Sequence, residues 1–182
     1  MAITTAHIRD ITAAYLDAHP DEKSELALLT DLLDRGAELT GRKQFPGHVT
    51  ANAVLANADR RILFVRHVAL GRWLTPGGHL EPHDDTLIDA ALRELAEETG
   101  IWPGSVVPVG DQPSHSDIHP IPASEAKREP AHQHIDFRFL FTTPADVARL
   151  QAEEVADAAW RDISTDQNLR LVQRVRAALD TH

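Results

Sequence analysis

Gly77-Gly78-His79-Leu80-Glu81, followed downstream by Arg93-Glu94-Leu95-Ala96-Glu97-Glu98-Thr99-Gly100-Ile101, is the stretch from which the rest of the chain is best read. The second part has a helical pattern, and residues three and four apart on a helix are neighbours, so Glu94 faces both Glu97 and Glu98. Each like-charge pair opposes the helix by a few tenths of a kcal/mol, roughly the size of any helix side-chain pair. Glu97 and Glu98 also fall in the last turn, where the helix dipole disfavours negative charge. Thr99-Gly100 marks the end, with Gly suited to the left-handed cap. Carboxylates concentrated at the wrong end of a helix imply a cation there. A hard divalent ion with oxygen ligands is the simplest choice.

Length and composition set the frame. The chain has 182 residues, 42% apolar and 25% charged, which suits one globular domain with room for an added element. A net charge of −10 and the lack of a basic face argue against a nucleic-acid grip. Nucleotides stay possible, because a bound cation inverts the local field. There are no cysteines, which removes disulfides, thiolate zinc sites and a cysteine nucleophile together. The first residues read as a polar amphipathic pattern rather than a signal peptide, and no segment has the apolar length of a membrane span. The expectation is a cytoplasmic protein.

Working outward, residues 4–36 read as two helices. Ile8, Ile11 and Tyr15 form one stripe that Pro20 closes; Leu26, Leu29 and Leu33 form another that Gly36 stops. The expected division is an N-terminal helical extension over 1–44 and a main domain over 45–182. The extension either packs on that domain, the preferred reading, or makes a homodimer contact. From Val49 the period becomes two, and Asn57-Ala58-Asp59 supplies a turn before Ile62-Leu63-Phe64-Val65, as in a hairpin. A short strand is expected at Trp73–Thr75 and a helix from about Thr86 to Thr99. Thr86 with Asp89 fits a capping box, and Asp84 or Asp85 offers an alternative cap. Further strands are expected at Val106–Val109, Ile135–Thr142 and Ala156–Ile163. A long polar segment over Asp111–Ala131 holds at most a short strand at Ile118–Ile121. Leu169, Val172, Val175 and Leu179 define a last helix. Strands before, between and after the central helix give an α/β sandwich with a mixed sheet.

The residues from Gly78 to Ile101 resemble the Nudix box: a glycine, five residues, an acidic residue, seven residues, then Arg-Glu-hydrophobic-x-Glu-Glu-x-Gly-hydrophobic. Arg93 to Ile101 match the second half fully. The first half departs. Five residues separate Gly78 from Asp84, but eight separate Asp84 from Arg93; choosing Asp85 restores seven and leaves six after Gly78. Asp also stands where the family has Glu. The resemblance implies the family's α/β/α sandwich and a Mg²⁺- or Mn²⁺-dependent pyrophosphohydrolase, cleaving a nucleoside diphosphate linked to another moiety by water attack on phosphorus. It implies Glu94 and Glu98 as main metal ligands, Glu97 as a further one, the Gly78 carbonyl as another, and Arg93 as the residue that orients the carboxylates. In this family a separate acidic loop residue can serve as base. Glu154 is the preferred candidate, with Glu153 beside it, and an exposed acidic loop explains both equally well.

Outside the box, His132, His134 and Asp136 alternate and share one strand face, and Asp117 with His119 can do the same on a neighbouring segment. They offer a second metal site or phosphate contacts, set against the favoured alternative of a hydrogen-bonded polar strand end. Arg66, His79 and His134 are candidate substrate contacts. Trp73 and Phe45 can stack a base, although packing accounts for both. Two other functions fit the fold. An enzyme like isopentenyl diphosphate isomerase is disfavoured by the absence of cysteine. A non-catalytic nucleotide-binding module is disfavoured by the intact Glu94, Glu97 and Glu98.

Overall fold

The computed structural model describes residues 2–68, 70–125, 128–147, 150, 151, 153 and 155–181. At its centre lies strand β1 (Gly47–Ala56), buried at all 10 positions. Its alternating sequence is covered on both faces. Val49, Ala51, Ala53 and Leu55 join the core under helix α3 (Leu87–Thr99). The opposite set runs from His48 through Thr50 and Asn52 to Val54 and Ala56, the last two packed under helix α4 (Leu169–Asp180). A strand covered on both faces loses the hydrophobic-polar contrast that alternation normally signals.

The other strands build out from β1. After a turn in which Asn57 Oδ1 accepts from the amides of Asp59 and Arg61, both at 3.0 Å, β2 (Ile62–His67) returns antiparallel, giving the expected hairpin. Strands β3 (Arg72–Leu74) and β8 (Val155–Arg161) flank β2. β4 (Gly77–His79) pairs with the middle of β1, and β7 (His132–Thr142) pairs parallel with all of β1. β5 (Val107–Pro108) and β6 (His115–Ile121) pair antiparallel with β7. The sheet is therefore mixed, with helices on both faces, as the sequence predicts.

Three local expectations are corrected, and one alternative is decided. The segment after Asp111 holds a full strand, His115–Ile121, not a short one at Ile118–Ile121, because β7 offers its edge over that length. β5 is shorter than Val106–Val109. Leu169 is 72% exposed; Leu171 takes its place in the core beside Val172, Val175 and Leu179, since α4 starts at Leu169 and its first residue projects outward. Thr86 caps α3, as its spacing to Asp89 predicts, and the alternative caps Asp84 and Asp85 are not used.

The N-terminal segment is tied into the domain. Helices α1 (Thr5–Ala18) and α2 (Ala27–Asp34) contribute Ile8, Leu29, Leu32 and Leu33 to the core that holds α3. A buried polar knot adds to this. Glu22 is fully buried; its carboxylate receives Tyr15 Oη, Arg174 Nη2 from α4 and, at 3.2 Å, Arg170 Nη1. The Ser116 amide of β6 donates to Tyr15 Oη at 3.1 Å. Among the described residues, no helix is long and apolar enough to cross a membrane.

Candidate active site

Helix α3 forms where the sequence places it. Thr86 Oγ1 accepts from the Asp89 amide at 3.1 Å and donates to the Asp89 carboxylate at 2.8 Å, a capping box with Asp in the Glu position. Gly100, at φ +68°, closes the helix in the left-handed conformation, its amide bonded to Ala96 O at 2.8 Å. Leu87, Ala90, Ala91 and Leu95 are buried against the sheet. Packing them there turns Arg93, Glu94 and Glu98 toward β4.

Glycine is required at position 77, where a Cβ would lie 2.7 Å from the backbone oxygen of Ala51; a Cβ on Gly78 would press on the Glu94 carboxylate, 2.6 Å from its Oε1. The Gly77 amide donates to Glu98 Oε2 at 3.3 Å. Glu98 is 3% exposed, whereas the Glu97 side chain is half exposed. The three carboxylates thus run from the interior to the surface along one edge of the helix.

Arg93 organises them. Its Nη1 donates to Glu94 Oε1 at 3.0 Å and to Glu97 Oε2 at 3.1 Å, while Nη2 donates to the His79 carbonyl at 2.8 Å. Asp84 receives the rest of the guanidinium, Nε at 2.9 Å and Nη2 at 3.0 Å. Burial disfavours the Asp84 charge, but the Arg93 fork and the Glu81 amide hold its carboxyl below the ordinary value. Burial likewise opposes the Arg93 charge, and the surrounding carboxylates overcome it and raise its pKa. The acidic position before the helix is therefore occupied by Asp84, with five residues between it and Gly78.

The extra residue accordingly falls between Asp84 and the helix. The N-terminal segment supports it. The Ile3 amide donates to Asp84 O at 3.1 Å, and His7 Nε2 accepts from Leu87 N at 3.4 Å, meeting one of the first-turn amides that a helix leaves open.

Glu154 lies outside the described residues. Its neighbour Glu153 is exposed, and the same loop returns to the helix, where Gln151 N donates to Glu98 O at 3.1 Å.

The opposite sheet face carries different chemistry. On β4, Gly78 pairs with Ala51 on the α3 side, while His79 pairs with Thr50 and so faces the other way. There His79 meets His48 of β1 and His134 of β7, with ring centroids 4.8 to 5.2 Å apart. His132 and His119 complete the group; each lies against His134, at 5.3 and 5.7 Å. Burial and the neighbouring imidazoles push the His134 pKa down to about 3, and burial lowers His48. Beside them Arg138 donates to Asp117 at 2.9 Å and to Asp136 at 2.8 Å, and Thr50 Oγ1 also donates to Asp136. The predicted sharing of one face by His132, His134, Asp136, Asp117 and His119 is thus found. A hydrogen bond to Asp117 outweighs desolvation and raises the His119 pKa.

Other candidates are more dispersed. Arg66 is exposed near the end of β2, opposite Trp73 and Asp157 in register. Trp73 lies under Arg161, whose guanidinium carbon is 4.0 Å from a ring centroid. Phe45 packs edge-on against His132. A recess of about 350 Å³ beside His132 is lined by Pro46, Pro120 and Pro122. A larger groove of about 500 Å³ follows the outer flank of α3 past Asp89, Leu92 and Glu97 and does not reach Gly78, Glu94 or Glu98. His48, Asn52 and Arg138 are absent from the sequence prediction. Their signal is the alternation His48-Thr50-Asn52, which matters only once β1 and β7 are known to pair parallel in register.

Comparison with known proteins agrees with this geometry. The NUDIX domain model matches residues 46–177. A probable DHNTP pyrophosphohydrolase of Lactococcus lactis subsp. cremoris is 32% identical over 134 residues, covering 71% of this chain and 75% of that protein. The phosphatase NudJ of Escherichia coli is 48% identical over 59 residues, which is 31% of this chain and 37% of that protein. Among solved structures, a MutT protein from Methanosarcina mazei superposes with a TM-score of 0.54 at 24% identity, over 72% of this chain and 94% of that one. With the box helix, its glycine loop and the mixed sheet all in place, the chain belongs to the NUDIX family, as a Nudix hydrolase acting on pyrophosphate bonds.

Proposed function

We propose that the protein is a Mg²⁺- or Mn²⁺-dependent pyrophosphohydrolase acting on a small-molecule nucleoside or pterin phosphate with an internal anhydride. The observation that carries this reading is the contact between Gly78 and Glu94, where a side chain at position 78 would fill the space beside the carboxylate. Glu94, Glu97 and Glu98 along one helix edge, with Glu94 and Glu98 against the glycine loop, form an oxygen donor set, the kind that hard cations prefer. Glu94, Glu97, Glu98 and the Gly78 carbonyl would hold the ions. When bound, such ions neutralise the diphosphate charge and lower the pKa of a coordinated water.

The chain's own residues supply the rest. Arg93 keeps Glu94 and Glu97 aligned, and Asp84 holds Arg93 so that it points at them and not at solvent. Glu154, which lies outside the described residues, is the proposed base, with Glu153 next to it in sequence; it would take the proton of the attacking water. The water oxygen bonds to phosphorus as the anhydride P–O bond breaks, and the leaving phosphate keeps the electron pair. Arg66 is the proposed phosphate contact from β2. The substrate class follows the relative from Lactococcus lactis, whose name gives a pterin triphosphate activity.

A panel of nucleoside triphosphates, dihydroneopterin triphosphate and ADP-ribose, hydrolysed in ¹⁸O-labelled water, tests the proposal. Mg²⁺-dependent release of pyrophosphate or a monophosphate carrying the label supports it. Failure to cleave any anhydride at saturating Mg²⁺ or Mn²⁺ overturns it.

A further inference from the structure

The histidine group on the far side of β4 has no role in the hydrolysis step proposed above. Four strands, β1, β4, β6 and β7, bring His48, His79, His119, His132 and His134 to one face. One ring nitrogen from each of His48, His79 and His134 lies within 4.8 Å of the other two. His48 is 1% exposed; its Nδ1 is 3.2 Å from Gln44 O. A carbonyl can only accept, so Nδ1 carries the proton and Nε2 presents a lone pair. That Nε2 is buried and has no hydrogen-bond partner. Buried polar atoms nearly always have one, and a ring nitrogen fixed by a carbonyl on its other side is how metal-binding histidines are oriented.

We propose that His48, His79 and His134 bind one divalent transition-metal ion, of which Zn²⁺ is the representative. Neutral imidazoles favour borderline ions such as Zn²⁺ over Mg²⁺, which prefers oxygen. Zn–N bonds of about 2.0–2.1 Å require nitrogens about 3.4 Å apart in a tetrahedron, so side-chain rotation must draw the three together. A second combination, His119 with His134 and Asp136, satisfies the same spacing. It is the weaker one, because Asp136 is already engaged by Thr50 and Arg138 and His119 lies 3.6 Å from Asp117. Three protein nitrogens leave a fourth position for water or a ligand oxygen. The site stands independently of the hydrolase assignment, since its donors face away from α3. The two are joined at β4, where the His79 carbonyl accepts from Arg93, and through β1 behind it.

Zn²⁺ titration of the full chain, stripped by chelator and followed by a competing chromogenic indicator in excess Mg²⁺, tests the site. Wild type and Glu98→Gln should each bind one Zn²⁺ per chain. His79→Gln and His134→Gln should weaken that binding by more than about tenfold, given that even outer-shell changes cost 10–100-fold. Labelling of wild type with diethyl pyrocarbonate needs no variant, and Zn²⁺ should protect His79 and His134. Absence of Zn²⁺ binding by wild type overturns the proposal. So does binding that survives in both histidine variants, that is lost in Glu98→Gln, or that leaves His79 and His134 unprotected.

Discussion

The two faces of β4 present opposite solutions to holding charge. Toward α3, Gly78 withdraws its side chain so that backbone meets carboxylate, and one arginine spans Asp84, Glu94 and Glu97. Away from α3, His79 extends a ring into a set of imidazoles with no such arginine at its centre. The first face collects hard anionic oxygens and one cation that arranges them. The second collects imidazole nitrogens beside the Arg138–Asp117–Asp136 group, and one of them, His48 Nε2, lies buried without a partner. Adjacent residues of a three-residue strand thus serve two chemistries, because successive side chains of a strand point to opposite faces. In the proposed mechanism, anhydride cleavage belongs to the oxygen face.

The strongest challenge to that assignment is Glu98→Gln, which removes a charge but keeps the shape. Turnover of a cleavable phosphate anhydride should fall on the order of a thousandfold, comparable to losing one preorganised electrostatic group. The next largest effect concerns what holds both faces in place. Glu22→Ala leaves Arg174 and Tyr15 without their buried carboxylate and should cost about 3–5 kcal/mol, read by urea unfolding. A smaller loss separates Asp84 from the ligands themselves. Asp84→Asn should reduce metal-dependent activity by roughly 10–100-fold through a misaligned Arg93, mainly as weaker Mg²⁺ activation.

Acid should act on the nitrogen side of the molecule through His115. His115 is pushed down to about 4 by burial, against the pull of Asp117 and Glu22, and with Arg138 and Arg174 also repelling a proton. Tyr15 and Asn168 are its uncharged neighbours. The unfolded chain therefore binds the proton more readily, and stability is complete above about pH 6.5, the ordinary histidine value, and falls as pH drops toward 4. The slope from this one group is at most about 1.4 kcal/mol per pH unit, and His115→Gln should flatten it in pH-dependent melts. Least costly is Thr86→Ala, expected to destabilise by about 1 kcal/mol through loss of the α3 cap, which thermal unfolding can resolve.

The contrast also explains what could be read from the chain. The oxygen face lies almost wholly within residues 78–101, where helical spacing makes sequence neighbours into spatial ones, so Arg93, Glu94, Glu97 and Glu98 emerge directly. The choice between Asp84 and Asp85 needs the structure, because Asp84 and Leu87, on either side of the insertion, are held by Ile3 and His7 from far upstream. The nitrogen face is assembled by register. His132 and His134 show as alternation, but His48 joins them only through the parallel pairing of β1 with β7, which no local pattern encodes. Leu169 was misplaced for a related reason, since periodicity gives a helical face but not the residue at which the helix begins to pack.

The most direct test compares Mg²⁺-supported pyrophosphate release by wild type and Glu98→Gln across the triphosphate panel, with folding checked by circular dichroism. The account predicts clear turnover by wild type and near-complete loss in the variant. Full activity in a folded Glu98→Gln protein would contradict it.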